Sequence, residues 1–445
     1  MPSNLPVLRR RSLLGLGALS ALSLHVGVWA QPLPAGSTTL EGGRLVVVFL
    51  RGAYDGLSAL VPYADSDYYA LRPNIAIAAP DGTAQTALRL DNTFALHPAL
   101  SPMLPLWQQG VLGFVPAAGL PAPNRSHFDA QYQMEIAQSG KTSSAPGWLN
   151  QLAGLRSGPA AALGVGEANP AILGGPAAVK LIPRGQAAER TGVLANDKTR
   201  QALLDLYAGD DKISEAFRRG AGSRMQSAQE LSTEKAAAGS RRIAMAERQL
   251  DSDGTPASTQ AQSAQMLAAS NGAPDPVGAQ LDAQHLGTLM RNDRSLRLGF
   301  LSAGGWDTHA NQGAASGQLA NNLGNLARGI IQLRQDFSEP GDVIVVMSEF
   351  GRTSAENGTR GTDHGFGNAM WLIGNRVAGG RWHGQWSGLA RGNLNEGRDL
   401  PAHHDYRAVL AQVLRRTFAL GDTQLATALP GASWDRRLDG LFSRA

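Results

Sequence analysis

Leu45-Val46-Val47-Val48-Phe49-Leu50-Arg51-Gly52-Ala53-Tyr54-Asp55-Gly56 decides the reading of the whole chain. Six apolar residues in a row, half of them valine, form the kind of strand that is buried on both faces in a parallel sheet. Arg51 to Gly56 follows as a turn. Similar short apolar runs recur at Val111–Val115, Leu296–Leu301, Val343–Met347 and Ala369–Ile373. Helical patterns separate them: about Pro98–Gln109, a helix opened by Ser126 that runs to about Gln138, Gln318–Phe337 and Asp405–Phe418. Strands alternating with helices predict an α/β fold, doubly wound, with a mostly parallel sheet and helices on both faces. Ligands of such folds lie at the carboxyl ends of the strands.

The notable polar residues fall at those ends. Asp55 follows the first strand, Asp307 and His309 follow Leu296–Leu301, and Glu349 follows Val343–Met347, with Asp363 and His364 in the loop before Ala369. Carboxylates and imidazoles are the donor set for Zn²⁺, Mn²⁺ or Mg²⁺. In an extended segment residues i and i+2 share a side, so Asp307 and His309 can grip one ion. Asp363 and His364 point apart, which suits a bridge between two ions. Each residue also has a plainer reading: turn chemistry for Asp55, an ordinary loop for Asp363-His364-Gly365, an ion pair with Arg352 for Glu349, and helix N-capping for Ser126.

Arg9-Arg10-Arg11 followed by Ser12-Leu13-Leu14, an apolar stretch to about Val28 and small residues at Val28-Trp29-Ala30 read as a twin-arginine export signal. The expectation is cleavage near Gln31, passage through the twin-arginine translocase and a periplasmic or secreted product. Removing residues 1–30 lowers the formal charge from +4 to +1. The remaining charges are interspersed, which argues against a nucleic-acid partner. No stretch after residue 30 approaches the ~18 apolar residues a membrane span requires, and the chain has no cysteine. Roughly 415 residues suffice for one large domain. Residues 31–445 are read as a single α/β domain, interrupted at about 198–280 by helical sequence and then, over 252–280, a Ser/Gln/Pro/Gly-rich linker.

The motifs Phe49-Leu50-Arg51-Gly52-Ala53-Tyr54-Asp55-Gly56, Arg125-Ser126-His127-Phe128, Gly305-Trp306-Asp307-Thr308-His309, Ser348-Glu349-Phe350-Gly351-Arg352-Thr353 and Gly361-Thr362-Asp363-His364-Gly365 resemble those of a bacterial family catalogued as domain of unknown function 1501. That family is in turn similar, remotely, to alkaline phosphatases and sulfatases. The resemblance implies an alkaline phosphatase-like fold, a site for two divalent ions, and hydrolysis of phosphate or sulfate esters. It assigns metal ligation to Asp55, Asp307, His309, Asp363 and His364, and the nucleophile to Ser126. Around that core, Glu349 is a further metal candidate, Arg125 or Arg352 would hold a substrate oxygen, and His127 would act as acid or base.

Two departures stand out. One residue rather than three separates Asp307 from His309, and the last histidine ligand of the superfamily has no clear match among His383, His403 and His404. The competing expectation is therefore a non-catalytic exported protein that uses the fold to bind a cell-surface polymer or a protein partner.

Overall fold

The computed structural model describes residues 42–140, 145–155, 161–242 and 260–443. The export signal read over residues 1–30 lies outside them. The strands in chain order are β1 (Leu45–Leu50), β2 (Leu60–Val61), β3 (Leu88–Arg89), β4 (Ala95–Leu96), β5 (Leu112–Gly119) and β6 (Ala162–Gly166). They continue with β7 (Val179–Pro183), β8 (Leu298–Ala303), β9 (Val343–Ser348), β10 (Asn368–Ile373), β11 (Arg381–Trp382) and β12 (His404–Asp405). Among the described residues, β2, β4 and β3 form a small sheet. The other nine form one large sheet in the order β11-β5-β10-β9-β1-β8-β6-β7, with β12 also paired to β5.

β1 lies in the middle of this sheet, parallel to both β8 and β9. All six of its residues are buried, as the unbroken apolar run requires. Leu45, Val47 and Phe49 pack into one core, against the helices His127–Ile136, Trp148–Gly154 and Tyr406–Phe418. Val46, Val48 and Leu50 pack into a second core, against Ala279–Asn292 and Gln318–Asp336. Helices therefore cover both faces, and the period-two alternation of β1 divides its side chains between them.

The sheet is mixed. β10 runs antiparallel to β9 and to β5, while the remaining pairings in the large sheet are parallel. The cause is the connection from β9 to β10. A parallel return needs a crossover, usually a helix, that carries the chain back to the starting end. The segment between Ser348 and Asn368 contains no helix; it folds over the carboxyl end of the sheet and re-enters from there. This helix-free loop is also the one that bears Glu349, Arg352, Asp363 and His364.

Residues 252–280 differ from the linker read in the sequence. Gln260–Ser270 is a helix and a second one begins at Ala279, while 251–259 lie outside the described residues. Ala, Gln and Met in QAQSAQMLAAS are strong helix formers, and they outweigh the flanking Ser, Gly and Pro. The helices Asp197–Leu206 and Lys212–Arg242 agree with the helical spacing before it. No described helix is long and apolar enough to cross a membrane.

Candidate metal centre

The strands β1, β5, β8 and β9 end at the same edge of the sheet, and the loops leaving them meet there. Close approach makes this possible. Gly52 has φ +110°, and a Cβ on it would stand 2.9 Å from the amide nitrogen of Asp307. A Cβ on Gly365 would stand 2.4 Å from the carbonyl of Arg352. Side chains at either position would push apart the segments that carry the site.

Four donor atoms converge at this edge. His364 Nε2 lies 2.9 Å from His127 Nε2, 3.0 Å from His309 Nε2 and 3.3 Å from Asp307 Oδ1. Asp307 Oδ1 in turn lies 2.9 Å from His309 Nε2 and 3.3 Å from His127 Nε2. Two ligands bonded at 2.0–2.1 Å to one ion stand about 2.8–3.4 Å apart, depending on coordination angle. These separations are those of ligands around an ion, and the group able to hold one is His127, Asp307 and His364; His309 stands beside it, against His364 and Asp307.

The far side of each ring sharpens the point. His127 Nδ1 faces Glu349 Oε1 at 2.8 Å, His309 Nδ1 faces Asp363 Oδ1 at 3.2 Å, and His364 Nδ1 faces the carbonyl oxygen of Arg125 at 2.8 Å. Carboxylates and carbonyls only accept, so each Nδ1 must donate. That tautomer leaves the Nε2 lone pair of His364 facing those of His127 and His309 beside a carboxylate. A proton or a metal ion placed there satisfies the crowded acceptors. Carboxylate or carbonyl partners behind ligating histidines are the usual second layer of a metal site.

The electrostatics agree. Burial disfavours the Asp307 carboxylate, but bonds from His127, His309 and His364 and the charge of Arg352 hold it well below the usual carboxylate range. Burial likewise pulls the His127 imidazolium down, yet Asp307 and Glu349 outweigh it and push it up to about 9. In the ion-free protein a proton on His127 thus stands where a metal cation would. Asp307 Oδ2 is buried with no hydrogen-bond partner, a lone pair left over for an ion. The donor set therefore fits a divalent metal.

Some predicted residues lie elsewhere or serve differently. Asp55, expected as a metal ligand, is fully buried in a two-pronged pair with Arg72 at 2.6 and 3.1 Å and also accepts from Ser58 and Gln312. Its oxygens are engaged away from the cluster. Glu349 stands behind His127 rather than among the ligands. Its Oε1 accepts from His127, Gly52 N and Gln131 Nε2, and its Oε2 accepts from Ser348 Oγ. Asp363 stands behind His309, where Asn357 also bonds it, so of the adjacent pair Asp363-His364 only His364 reaches the cluster.

Arg352, expected to hold a substrate oxygen, is fully buried and bonds the carbonyls of Ala53, Gly52, Trp306 and Thr362 as well as Asp307 Oδ1. His127, expected as acid or base, has both ring nitrogens committed. Its Nε2 faces the cluster, and none of the three downstream histidines does. His383 bonds a backbone carbonyl, His404 pairs with Asp435, and His403 with Ser387. Ser126 is exposed, immediately before His127, and its Oγ accepts from Asp129 N at 3.4 Å as a helix N-cap. Arg125 pairs with Glu396 and Asp399.

Gln131 was not singled out from sequence. It links Glu349 to Arg51 Nη1 and to the carbonyl of Ala269. The one signal available was its position four residues after His127, on the same face of the helix.

Comparison with known proteins adds the family. The model of the family described as Protein of unknown function (DUF1501) matches residues 43–429, which takes in every residue of this centre. No curated protein matches the chain.

Proposed function

The chain belongs to the DUF1501 family, and on the geometry of its site we propose that it is an exported, metal-dependent hydrolase of phosphate or sulfate esters working with one divalent ion. The observation that carries this reading is the cluster of His127 Nε2, His364 Nε2 and Asp307 Oδ1, with His309 Nε2 against the last two and every Nδ1 facing an acceptor. Two imidazoles and a carboxylate, with a third imidazole beside them, favour Zn²⁺ over Mg²⁺, which prefers oxygen and water. When bound, such an ion supplies Lewis acidity to an anionic ester oxygen and lowers the pKa of a neighbouring hydroxyl.

The chain's own residues divide the remaining work. Arg352 fixes Asp307, and Glu349, Asp363 and the Arg125 carbonyl fix the three rings. Ser126 attacks phosphorus or sulfur through Oγ; its proton passes to solvent, the alcohol leaves with a proton from solvent, and water then releases the acid and restores the serine. The amino end of the helix His127–Ile136 adds backbone N–H groups and a partial positive charge for the transferred group. The order Asp55, Ser126, Asp307…His309, Asp363-His364 supports a distant kinship with alkaline phosphatases and sulfatases. Twin-arginine export suits a protein that folds around its ion before it crosses the membrane.

The second reading, a non-catalytic exported protein that binds a cell-surface polymer or protein partner, is favoured by two observations. Ser126 Oγ is engaged as a cap, and both arginines expected to hold substrate are paired within the protein. Metal analysis of the protein purified from the periplasm, followed by a screen of aryl phosphates, phosphonates and sulfates, separates the two. The hydrolase reading expects one equivalent of metal and turnover. It expects Asp307→Ala to lose both, and Ser126→Ala to keep the metal and lose turnover. Failure to take up any metal overturns the reading. Metal without turnover favours the binding protein, and full turnover by Ser126→Ala removes the serine from the mechanism.

A further inference from the structure

Beside the metal centre the helix His127–Ile136 borders a cavity of about 390 Å³, lined by Phe128, Tyr132, Glu135, Glu167, Asn169 and Asn271 among others. Its walls come from three places: this helix, the segment after β6, and the residues after the helix Gln260–Ser270. The volume falls in the range of small-ligand pockets. Nothing in the proposed hydrolysis uses it.

Two features of the cavity are unusual. Phe128, next in sequence to His127, is 57 % exposed, the most exposed phenylalanine or tryptophan among the described large hydrophobic residues. Tyr132 follows it one helical turn later. At the other side, Glu135 and Glu167 are almost completely buried and share one cation. Arg51 Nη2 lies 2.7 Å from Glu135 Oε1 and 2.9 Å from Glu167 Oε1, and its Nε donates to Glu167 Oε2 at 3.0 Å. Ser302 Oγ adds a neutral donor to Glu167. Two carboxylates against one guanidinium leave the lining short of one positive charge. Burial pushes the Glu167 carboxyl up to about 7, with Arg51 opposing and Glu135 adding to the shift, so a proton competes with an added cation for this place until the pH rises above that value.

The chemistry selects among ligands. An anion would meet the carboxylates. A neutral apolar group would leave the charge deficit as it stands. A cation satisfies the carboxylates' remaining acceptor capacity and is drawn to the faces of aromatic rings. We propose that this cavity binds an organic cation, a protonated amine or a quaternary ammonium group, between the rings of Phe128 and Tyr132 and the Glu135–Glu167 pair.

The site stands on its own geometry. Where it is joined to the hydrolase reading, on which this extension rests, the substrate is an ester whose anionic group meets the histidines and whose alcohol carries the cation. Both poles would then be read from one helix, by His127 and by Glu135.

Calorimetric titration of the metal-loaded protein with choline and with ethanolamine tests this, against the neutral counterparts 3,3-dimethylbutan-1-ol and propan-1-ol. Each pair is similar in size and differs in charge. Saturable binding of at least one cation is expected, with its neutral counterpart at least about tenfold weaker. The tighter of the two cations identifies the headgroup. Phe128→Ala, a change at an exposed side chain, should weaken the bound cation about tenfold, and Glu167→Gln should do so as well, with metal content unchanged. Equal affinity for cation and neutral counterpart overturns the proposal. So does the absence of cation binding at tens of millimolar, or a Phe128→Ala variant that binds as the parent does. Metal content and ester turnover are read separately, so loss of the hydrolase reading leaves this result intact.

Discussion

His127 Nδ1 donates to Glu349 Oε1 across 2.8 Å, and this bond decides what each residue is for. It turns the ring so that Nε2 faces His364 and Asp307, and it raises the electron density of the nitrogen that faces them. Glu349 is held in turn by Gly52 N, Gln131 and Ser348. Glu349→Gln keeps the shape and removes the charge. Metal affinity should fall about 10–100-fold, with one equivalent still bound at saturation. Competition with a chromophoric chelator measures this. A Glu349→Gln variant with no site at all would place Glu349 among the ligands.

A proton on His127 would compete with an ion at the proposed centre. In the ion-free protein the imidazole is raised from its ordinary value near 6.5 to about 9. Below about 9 a bound ion must displace that proton, so apparent affinity should rise with pH, close to tenfold per unit at most, and level off above about 9. The ion-free fold behaves oppositely. A raised histidine contributes stability that is fully present below about 6.5 and is lost as pH climbs through about 9. Urea unfolding in chelator from pH 6 to 9.5 should show His127→Gln losing less stability over this window than the parent. Parallel curves for the two proteins would contradict the assignment.

Asp55 and Arg72 form a buried pair that the sequence did not distinguish from a ligand. Burial works against the Asp55 carboxylate, and Arg72 more than compensates, holding it below its usual value. Removing one partner leaves the other charge stranded. Asp55→Asn should destabilise the fold by about 3–5 kcal/mol in urea titrations. Its metal stoichiometry should stay that of the parent wherever the protein remains folded. Loss of the ion from a folded Asp55→Asn variant would restore Asp55 to the metal centre.

Sequence made the central frame legible because its strands are bounded by strong signals. The run Leu45–Leu50 is long, apolar and β-branched, and the turn after it carries Gly52 and Gly56. The rest was harder for physical reasons. Strand direction is absent from a strand's own residues, so β10 reads like its parallel neighbours; only the helix-free connection before it reveals the reversal. Short strands such as β11 and β12, two residues each, carry no periodicity. In the site, Asp307, His309 and His364 were visible as glycine-flanked donors at strand ends. Their partition from Glu349 and Asp363 was not, since a carboxylate that binds an ion and one that orients a histidine have the same sequence signature. His127 reads as an acid or base because its ring partners lie 180 residues or more away in the chain.

Arg352 joins the three loops on which the centre depends. Its Nε donates to Ala53 O at 2.6 Å, and its Nη atoms reach Gly52 O, Trp306 O, Thr362 O and Asp307 Oδ1. Those partners lie after β1, after β8 and in the loop before β10. A lysine keeps the charge but has a single nitrogen with three donors, in place of a planar fork that serves five oxygens. At least two buried carbonyls would lose their partners in Arg352→Lys, each costing about 1–3 kcal/mol. The variant should therefore be destabilised by roughly 2–6 kcal/mol in chelator as well as with metal. It should also bind the ion more weakly, because Asp307 is no longer held. His364→Ala provides the contrast. It removes a ligand that is only partly buried, so its loss of stability should be large with metal and small in chelator. Urea midpoints for both variants, with and without metal, distinguish a residue that shapes the site from one that binds the ion. If Arg352→Lys lost stability only when metal is present, Arg352 would belong to the ion's immediate surroundings rather than to the frame beneath them.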